Sequence, residues 1–285
     1  MQLTATISSA HASSSIAVSA ASEVGMVRAL NEDSFLVAGP VFLVADGMGG
    51  HNAGDQASQA VRSTFGTAFG ALVPAATDEV LGAIQRSNEA VLAIEPPEGA
   101  ATAISGTTLA GVALVETADS GMLHWMAFNI GDSRIYSWDG RSLSQLSVDH
   151  SAVQELLDAG TITDEEAALH PDRNVITRAI GASEVVDADV WLVPAASSQA
   201  FVICSDGLTK EVGDEQIARI LAQHIAAEGG ATLADELVGA ALAAGGRDNV
   251  TVVVVESFTT GVGTDEEDTI ERVSLGVDVI TQTRS

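Results

Sequence analysis

The stretch VFLVADGMGG, residues 41 to 50, runs from five apolar residues directly into an Asp-Gly pair. A second stretch, FVICSDGL at residues 201 to 208, repeats the pattern. A short apolar run that ends at a glycine turn predicts a buried strand, so Asp46 and Asp206 would each lie at a strand end. If the two strands are neighbours, the two carboxylates repel each other unless a cation lies between them. The repeated pattern therefore predicts a metal site built from carboxylates.

Further acidic residues occupy similar positions. Asp132 and Asp248 lie near glycines at the ends of predicted strands, and Glu32 and Asp33 precede another. A single Asp-Gly pair is usually only a turn, but four aspartates beside apolar strands favour a shared site. Ligand sets made only of oxygen select Mg²⁺ or Mn²⁺ rather than zinc. Two such ions about 3.5–4 Å apart are a common device for hydrolysing phosphate esters, and Arg28 would supply a bidentate contact to the phosphate.

The composition restricts the class of protein. The 285 residues are 46% hydrophobic and 18% charged, which is typical of a globular chain of one large or two small domains. The net charge of −27, with Lys210 as the only lysine, disfavours nucleic acid and anionic membranes as partners. The single cysteine, Cys204, excludes an internal disulfide framework and indicates a reducing cytoplasm. The sequence predicts neither a membrane span nor a signal peptide.

The order of the predicted elements favours sheets covered by helices. Strands are predicted at 16–19, 34–38, 107–115, 123–130, 134–138, 175–180, 190–193, 201–204 and 250–255, and the main helices at 56–72, 77–94, 152–159, 214–226 and 232–244. Consecutive strands and paired helices are typical of an α+β fold with antiparallel sheets. Composition also predicts a flexible N-terminal lead over residues 1–14, a folded domain over 15–257 and a flexible acidic tail over 258–285.

Eight motifs follow one another between residues 16 and 256. They are GMVRALNED (25–33), VADGMGGHNAGDQAS (44–58), GTTL (106–109), NIGDSRI (129–135), DHSAVQE (149–155), HPDRNVITRAI (170–180), CSDGL (204–208) and GGRDNVTVVVV (245–255). Together they resemble the bacterial PPM (2C-type) family of metal-dependent serine/threonine protein phosphatases. Because the motifs keep the family's order, the likeness is far more specific than any single motif.

The resemblance implies an α-β-β-α sandwich of two antiparallel sheets with two Mn²⁺ or Mg²⁺ ions at one end. It implies that Asp46 bridges both ions and that the Gly47 carbonyl binds one of them. Asp206 and Asp248 would bind the other ion.

The resemblance also implies roles around these ligands. Glu32 and Asp33 would hold metal-bound waters, and Arg28 would bind the phosphate. Asp132, sharing Asp206, would hold a third and weaker ion. Residues 151–178 would form a mobile flap that selects substrates.

The implied activity is hydrolysis of phosphoserine and phosphothreonine in proteins, by water activated at the two ions and without a phospho-enzyme. The expected partners are serine/threonine kinases and their substrates, and not nucleic acid or membranes. The expected state is a cytoplasmic monomer.

The general acid is an open point. Animal members of the family carry a histidine where this chain has Met48, so the nearby His51 is a catalytic candidate. A structural role for His51 at the entry to a helix explains the residue equally well.

The sequence also raises three further hypotheses. Cys204 and Lys210 have a spacing faintly like that of a cysteine-phosphatase loop, but the phosphate-binding arginine is missing and Cys204 lies within an apolar strand. A catalytically weak binding module on the same fold is the alternative function, although all the metal aspartates are present. Thr269, which follows a run of acids, is a possible phosphorylation site in the tail, where a solvated tail is the simpler interpretation.

Overall fold

Apolar segments, some continuous and some alternating with polar residues, form two antiparallel sheets. The computed structural model describes residues 1–49, 53–95, 105–117, 121–195, 198–224, 230–261 and 271–274. Within these residues the strands are β1 (Gln2–Ser8), β2 (Ser13–Glu23), β3 (Asp33–Ala38), β4 (Val41–Met48), β5 (Gly106–Thr107), β6 (Leu109–Glu116), β7 (Leu123–Ile130), β8 (Arg134–Trp138), β9 (Leu143–Gln145), β10 (Asp189–Pro194), β11 (Gln199–Cys204), β12 (Val250–Thr260) and β13 (Glu271–Ser274). The helices in the same ranges are α1 (Ala53–Ala68), α2 (Thr77–Leu92), α3 (Ala152–Asp158), α4 (Asp164–Leu169), α5 (Asp206–Thr209), α6 (Asp214–Gln223) and α7 (Leu233–Ala244).

The two sheets pack face to face. The first has the strand order β1-β2-β12-β11-β8-β9, and the second has the order β13-β10-β7-β6-β4-β3, with β5 paired to β4. Their inner faces share a buried core, in which the Trp125 ring lies 5.3 Å from the Phe201 ring and 6.3 Å from the Phe42 ring, centroid to centroid. Burial of large aromatic side chains from both sheets is the main force that holds the sandwich together.

Helices cover both outer faces. Helices α1 and α2 pack on the second sheet, where Phe65 stacks on Phe128 at 5.8 Å. Helices α5, α6 and α7 pack on the first sheet around Val202, Val254 and Leu237. The predicted α-β-β-α sandwich is therefore confirmed.

Local signals set several element ends. Helix α7 begins at Thr232, whose hydroxyl accepts from the Asp235 N–H while the Asp235 carboxylate accepts from the Thr232 N–H. In the turn between β8 and β9, the Asp139 carboxylate accepts from the N–H groups of Arg141 and Ser142 at 2.8 and 2.7 Å. The Asp-Gly hairpin signal at this turn predicted the reversal correctly.

The N-terminal residues differ from the predicted loose lead. Strand β1 pairs with β2 over its whole length, and the terminal amino group of Met1 donates to the Ala20 carbonyl at 2.7 Å. The reason is an alternation within LTATI at residues 3 to 7, which ends with Ile7 fully buried. The high Ser and Thr content of the segment hides this alternation.

Three other features differ from the sequence predictions. Strand β12 continues to Thr260 because β2 pairs with it along its length, and β13 pairs with β10 inside the predicted tail. Residues 175–180 form isolated bridges instead of the predicted strand, since the N–H groups of Thr177 and Ile180 donate to the carbonyls of His150 and Thr107. The division of the chain into lead, domain and tail stays a prediction.

Candidate metal centre

The ends of strands from both sheets bring the predicted acidic residues together. Asp33 and Asp46 are direct partners in the β3–β4 ladder of the second sheet. Asp206 opens α5 immediately after β11 of the first sheet. Ser205 links the two sheets, because its hydroxyl donates to Asp33 Oδ2 at 2.8 Å and accepts from the Thr251 N–H at 2.9 Å. The two Asp-Gly strand ends therefore meet at one edge of the sandwich, although β4 and β11 belong to facing sheets and are not paired neighbours.

The glycine after each aspartate is required by close backbone packing. A Cβ atom on Gly47 would lie 2.2 Å from the Gly54 carbonyl oxygen. A Cβ atom on Gly207 would lie 1.9 Å from the Asn249 carbonyl oxygen. Only glycine leaves room for these approaches, which explains why the aspartates are followed by glycine in both stretches.

The Asp46 backbone is fixed by the Gly-Thr-Thr-Leu segment. The Asp46 N–H donates to Thr108 Oγ1 at 2.9 Å, and its carbonyl accepts from Thr107 Oγ1 at 2.9 Å and from the Thr108 N–H at 2.9 Å. The Thr108 hydroxyl also contacts the Ser133 hydroxyl at 2.7 Å. Since Ser133 follows Asp132, this hydroxyl pair connects the turn that carries Asp132 to the strand end that carries Asp46.

Burial and mutual repulsion disfavour the ionised form of several carboxylates in the cluster. Burial raises the pKa of Asp46 well above its usual value, and the charges of Asp33 and Asp206 add to the effect. Burial and the charge of Asp206 likewise raise the pKa of Asp132 to about 7. Burial raises the pKa of Asp33 to about 6, although nearby hydroxyls oppose the shift. A cation placed among these carboxylates would relieve both effects.

Two carboxylate oxygens support the same conclusion. Within the described part of the chain, Oδ1 of Asp33 and Oδ1 of Asp132 are buried and accept no hydrogen bond. Buried polar atoms are nearly always partnered, so two buried carboxylate oxygens without a hydrogen bond fit a site that binds a cation. The donor set consists of hard oxygen atoms, which fits Mg²⁺ or Mn²⁺.

Cationic side chains hold the other part of the cluster. Arg28 forms a bidentate pair with Asp248, with Nε 2.8 Å from Oδ1 and Nη2 2.9 Å from Oδ2. Lys210 Nζ pairs with Asp206 Oδ2 and lies 3.2 Å from Asp248 Oδ2. Burial acts to raise the pKa of Asp248, but the hydrogen bond from Arg28 and the charge of Lys210 lower it overall. Among the described residues, no three acidic, histidine or cysteine side chains are already arranged as a finished metal site.

Glu32 lies between Arg28 and the start of α1. Burial raises its pKa, and Arg28 and the N–H of Asp55 oppose the rise. The Glu32 carbonyl accepts from the Gly47 N–H at 3.2 Å and from the Ser58 hydroxyl at 2.6 Å. The residue thus packs directly against the first Asp-Gly strand end.

Asn249 is a positioning residue that the motif analysis did not single out. Its amide group donates to the carbonyls of Val24 and Leu30 at 3.0 and 2.9 Å, and accepts from the Glu32 N–H at 2.9 Å. These three bonds fix both ends of the loop that carries Arg28. The only signal in the sequence was its place directly after Asp248.

His150 connects the predicted flap to the turn at Asp132. Its Nδ1 accepts from the Gly131 N–H at 3.0 Å, and its Nε2 lies 3.6 Å from Asp189 Oδ2. At the other end of the flap, Arg178 Nη1 lies 2.9 Å from Asp189 Oδ1. The two ends of residues 151–178 are therefore anchored next to each other, beside the acidic cluster.

Of three further candidates from the sequence, the structure decides only one. Cys204 is fully buried and its pKa is raised by burial to about 12, so a cysteine nucleophile is excluded. His51 and Thr269 lie outside the described residues.

Comparison with known proteins gives consistent matches. A family model for protein phosphatase 2C matches residues 27–241. The serine/threonine phosphatase stp of Listeria monocytogenes is 34% identical over 252 residues, which cover 85% of this chain and 96% of that protein. The serine/threonine protein phosphatase PstP of Mycobacterium tuberculosis is 38% identical over 249 residues, which cover 83% of this chain and 44% of that longer protein. The solved catalytic domain of PstP in complex with two manganese ions has a TM-score of 0.69 and 34% identity, and covers 85% of this chain and 98% of that chain.

Proposed function

This chain belongs to the protein phosphatase 2C family, and on that basis we propose a mechanism for the acidic cluster. The chain is a metal-dependent serine/threonine protein phosphatase, and its cofactors are two Mn²⁺ or Mg²⁺ ions. The observation that carries the function is the position of Asp46, whose carboxylate is crowded by four other aspartates. The alternative of a catalytically weak binding module is not favoured, because every acidic residue that the mechanism needs is present.

The proposed metal ligands are Asp46, the carbonyl of Gly47, Asp206 and Asp248. The electrostatic crowding of Asp46 by Asp206 and Asp248 supports this set. When bound, the ions activate a water and offset the charge that develops on the phosphoryl group.

Other acidic residues would hold water around the ions. Asp33 is fixed through Oδ2 by Ser205, and its buried Oδ1 accepts no hydrogen bond from the described residues. Glu32 is the second such acceptor. Asp132, with its own orphaned Oδ1, is the proposed ligand of a third ion shared with Asp206.

Arg28 is the proposed phosphate-binding residue. Its guanidinium group is about half exposed and already adopts the forked geometry on Asp248 that a phosphate would accept. Since Asn249 fixes the loop on both sides of Arg28, only the side chain has to move to reach a phosphate next to Asp248.

The proton for the leaving alkoxide has two proposed sources. Met48 has no proton to donate, so the donor is either His51 or a solvent water. A His51→Gln variant distinguishes them: a general acid must be protonated to act, so loss of the basic limb of the pH–rate profile assigns the role to His51.

Phosphorylated proteins are the substrates of this enzyme. We propose further that serine/threonine kinases and their targets are among them, and that the enzyme acts as a monomer in the cytoplasm. The net charge of −27 supports slow turnover of phosphosites flanked by acids at low ionic strength. No helix in the described ranges is long and apolar enough to cross a bilayer.

The test is hydrolysis of a phosphothreonine peptide in the presence of Mn²⁺ or of a chelator, for the native chain and for two variants. Asp206→Asn removes a proposed ligand, and Asp139→Asn removes an exposed aspartate in the β8–β9 turn. Activity that requires Mn²⁺ and Asp206 but not Asp139 supports the mechanism. Full activity of Asp206→Asn would overturn the ligand assignment.

A further inference from the structure

Lys210 occupies an unusual place for the only lysine of a chain with a net charge of −27. It directly follows α5, and its N–H donates to the Asp206 carbonyl at 2.8 Å. This short turn directs the side chain back over the cluster, where Nζ pairs with Asp206 Oδ2 and lies 3.2 Å from Asp248 Oδ2. The ammonium group therefore bridges two of the proposed metal ligands.

An ammonium group and a divalent cation both bind to the oxygen atoms of these carboxylates. Lysine is a compact point charge with three donors, so it binds carboxylate oxygens that a metal ion would bind. A metal ion bound through the same Oδ2 atoms would lie next to the ammonium group, and the two positive charges would repel each other. A metal ion on Asp206 and Asp248 must therefore displace the Lys210 ammonium.

The side chain of Lys210 is able to leave. It is 36% exposed, whereas the side chains of Asp206 and Asp248 are 16% and 17% exposed. The flexible stem of lysine lets the charged end swing into water while the backbone stays fixed. Displacement of Lys210 thus needs no change in the strands that carry the aspartates.

We propose that Lys210 competes with the metal ion for Asp206 and Asp248, and so sets how much metal the enzyme needs. This inference rests on the proposed function, since it uses the same two ligands. Lys210 stabilises the chain when metal is scarce and weakens metal binding when metal is present. The second effect follows from the first, because the ion pairs must be broken before the metal binds.

A matched pair of variants tests the competition. Lys210→Met removes the ammonium group and keeps the length of the side chain. Arg247→Met removes one positive charge from the same region, but from a residue that pairs with Glu211, with Nε 2.8 Å from Oε1. Both variants change the net charge equally, so Arg247→Met controls for the general attraction of a more acidic chain for cations. Lys210→Arg restores the charge.

The measurement is Mn²⁺ binding by isothermal titration calorimetry on chelator-treated protein, together with thermal unfolding with and without Mn²⁺. We expect Lys210→Met to bind Mn²⁺ about ten-fold more tightly than the native chain, as expected for the loss of competing charge-assisted hydrogen bonds. The same variant should unfold at a lower temperature than the native chain in chelator. Addition of Mn²⁺ should raise its unfolding temperature by more than that of the native chain. Arg247→Met and Lys210→Arg should bind Mn²⁺ within about two-fold of the native chain.

Two results would overturn the inference in distinguishable ways. Unchanged or weaker Mn²⁺ binding by Lys210→Met, with normal binding by the native chain, would overturn the role of Lys210 alone. Absence of Mn²⁺ binding by the native chain and every variant would overturn the proposed metal site, and the role of Lys210 with it.

Discussion

The two Asp-Gly strand ends share a sequence pattern but differ in their electrostatic surroundings. At the first end, no ion pair within the described residues reaches the carboxylate of Asp46, and its pKa is raised strongly. At the second end, Lys210 pairs with Asp206, and Arg28 and Lys210 together pair with Asp248. Burial raises the pKa of Asp206 as well, although Lys210 opposes the rise. The comparison teaches that the pattern determines backbone geometry, whereas neighbouring side chains determine which end already has cationic partners.

Removal of one carboxylate from each end should have the largest effect and should separate the two ends. Asp46→Asn and Asp248→Asn should each lower the rate with Mn²⁺ by about 10³-fold or more, because each removes a proposed metal ligand. In chelator, Asp46→Asn should raise the unfolding temperature by removing a buried and repelled charge. Asp248→Asn should lower it, because Arg28 loses its ion-pair partner and Lys210 keeps only Asp206. Initial rates and thermal unfolding measure both effects, and shifts of the same sign in chelator would refute the comparison.

A methyl group placed behind the second aspartate tests whether the ends are sterically alike. Gly207→Ala should destabilise the chain by about 3 kcal/mol or more, because the new Cβ would lie 1.9 Å from the Asn249 carbonyl oxygen. Gly47→Ala should lower the free energy of unfolding by a similar amount. Gly239→Ala in α7 is the control, since its Cβ meets open space and it should stabilise the helix by up to about 1 kcal/mol. Urea unfolding is the measurement, and equal midpoints for Gly207→Ala and Gly239→Ala would contradict the packing argument.

The pH dependence of stability should reflect the unneutralised acids. The pKa values of Asp132 and Asp33 are raised in the folded chain to about 7 and about 6, from an ordinary value of 3.8. The folded chain therefore binds protons more tightly than the unfolded chain, and the stability that this supplies is lost as the pH rises through those values.

In chelator, the free energy of unfolding should thus fall between about pH 4 and pH 7, with a smaller fall for Asp132→Asn. Saturating Mn²⁺ should remove most of the slope, because bound cations favour the ionised carboxylates. Urea titrations across this range provide the measurement. A free energy of unfolding that rises with pH in chelator would show that these acids are not the ones that titrate.

The smallest effect is expected from the hydroxyls that support each end. Ser205→Ala should destabilise the chain by about 1–3 kcal/mol, since it leaves a buried oxygen of Asp33 and the Thr251 N–H without their partner. Thr108→Val keeps the side-chain shape and should cost about 1 kcal/mol through the lost bond to the Asp46 N–H. Denaturant midpoints compare the two, and a larger loss for Thr108→Val would reverse the order of the ends.

Much of the architecture could be predicted from local patterns. Strand β7 at 123–130 and strand β8 at 134–138 match their predicted bounds, because strong apolar runs there end at glycine turns. The same patterns predicted that Asp46 and Asp206 lie at neighbouring strand ends. Strand β1 was missed because small polar residues outnumber its apolar ones, although every second residue faces inward.

The partners of the cluster could not be predicted in this way. The bond between Ser205 and Asp33 joins residues 172 positions apart, and the bonds from Asn249 reach 217 positions or more. No local pattern encodes such distances. The contacts of Lys210 were equally hidden, because a lysine that follows Leu-Thr is normally read as a surface residue. The ion-pair partners of a carboxylate depend on the tertiary structure, so they can be identified only when the positions of the strands are known.

The pairing of β2 with β12 has a consequence for the order of folding. Residues 13–23 pair with β1 on one side but with residues 250–260 on the other, so the first sheet cannot be completed until β12 is available. Contacts of such long sequence separation make folding slow. The β3–β4 hairpin of the second sheet, with Asp33 and Asp46, can form early. Asp248 lies just before β12, so it is available only when the last strand of the first sheet is. During synthesis on the ribosome, we therefore expect the enzyme to stay inactive until β12 has emerged, so that catalytic competence and completion of the sheet arrive together.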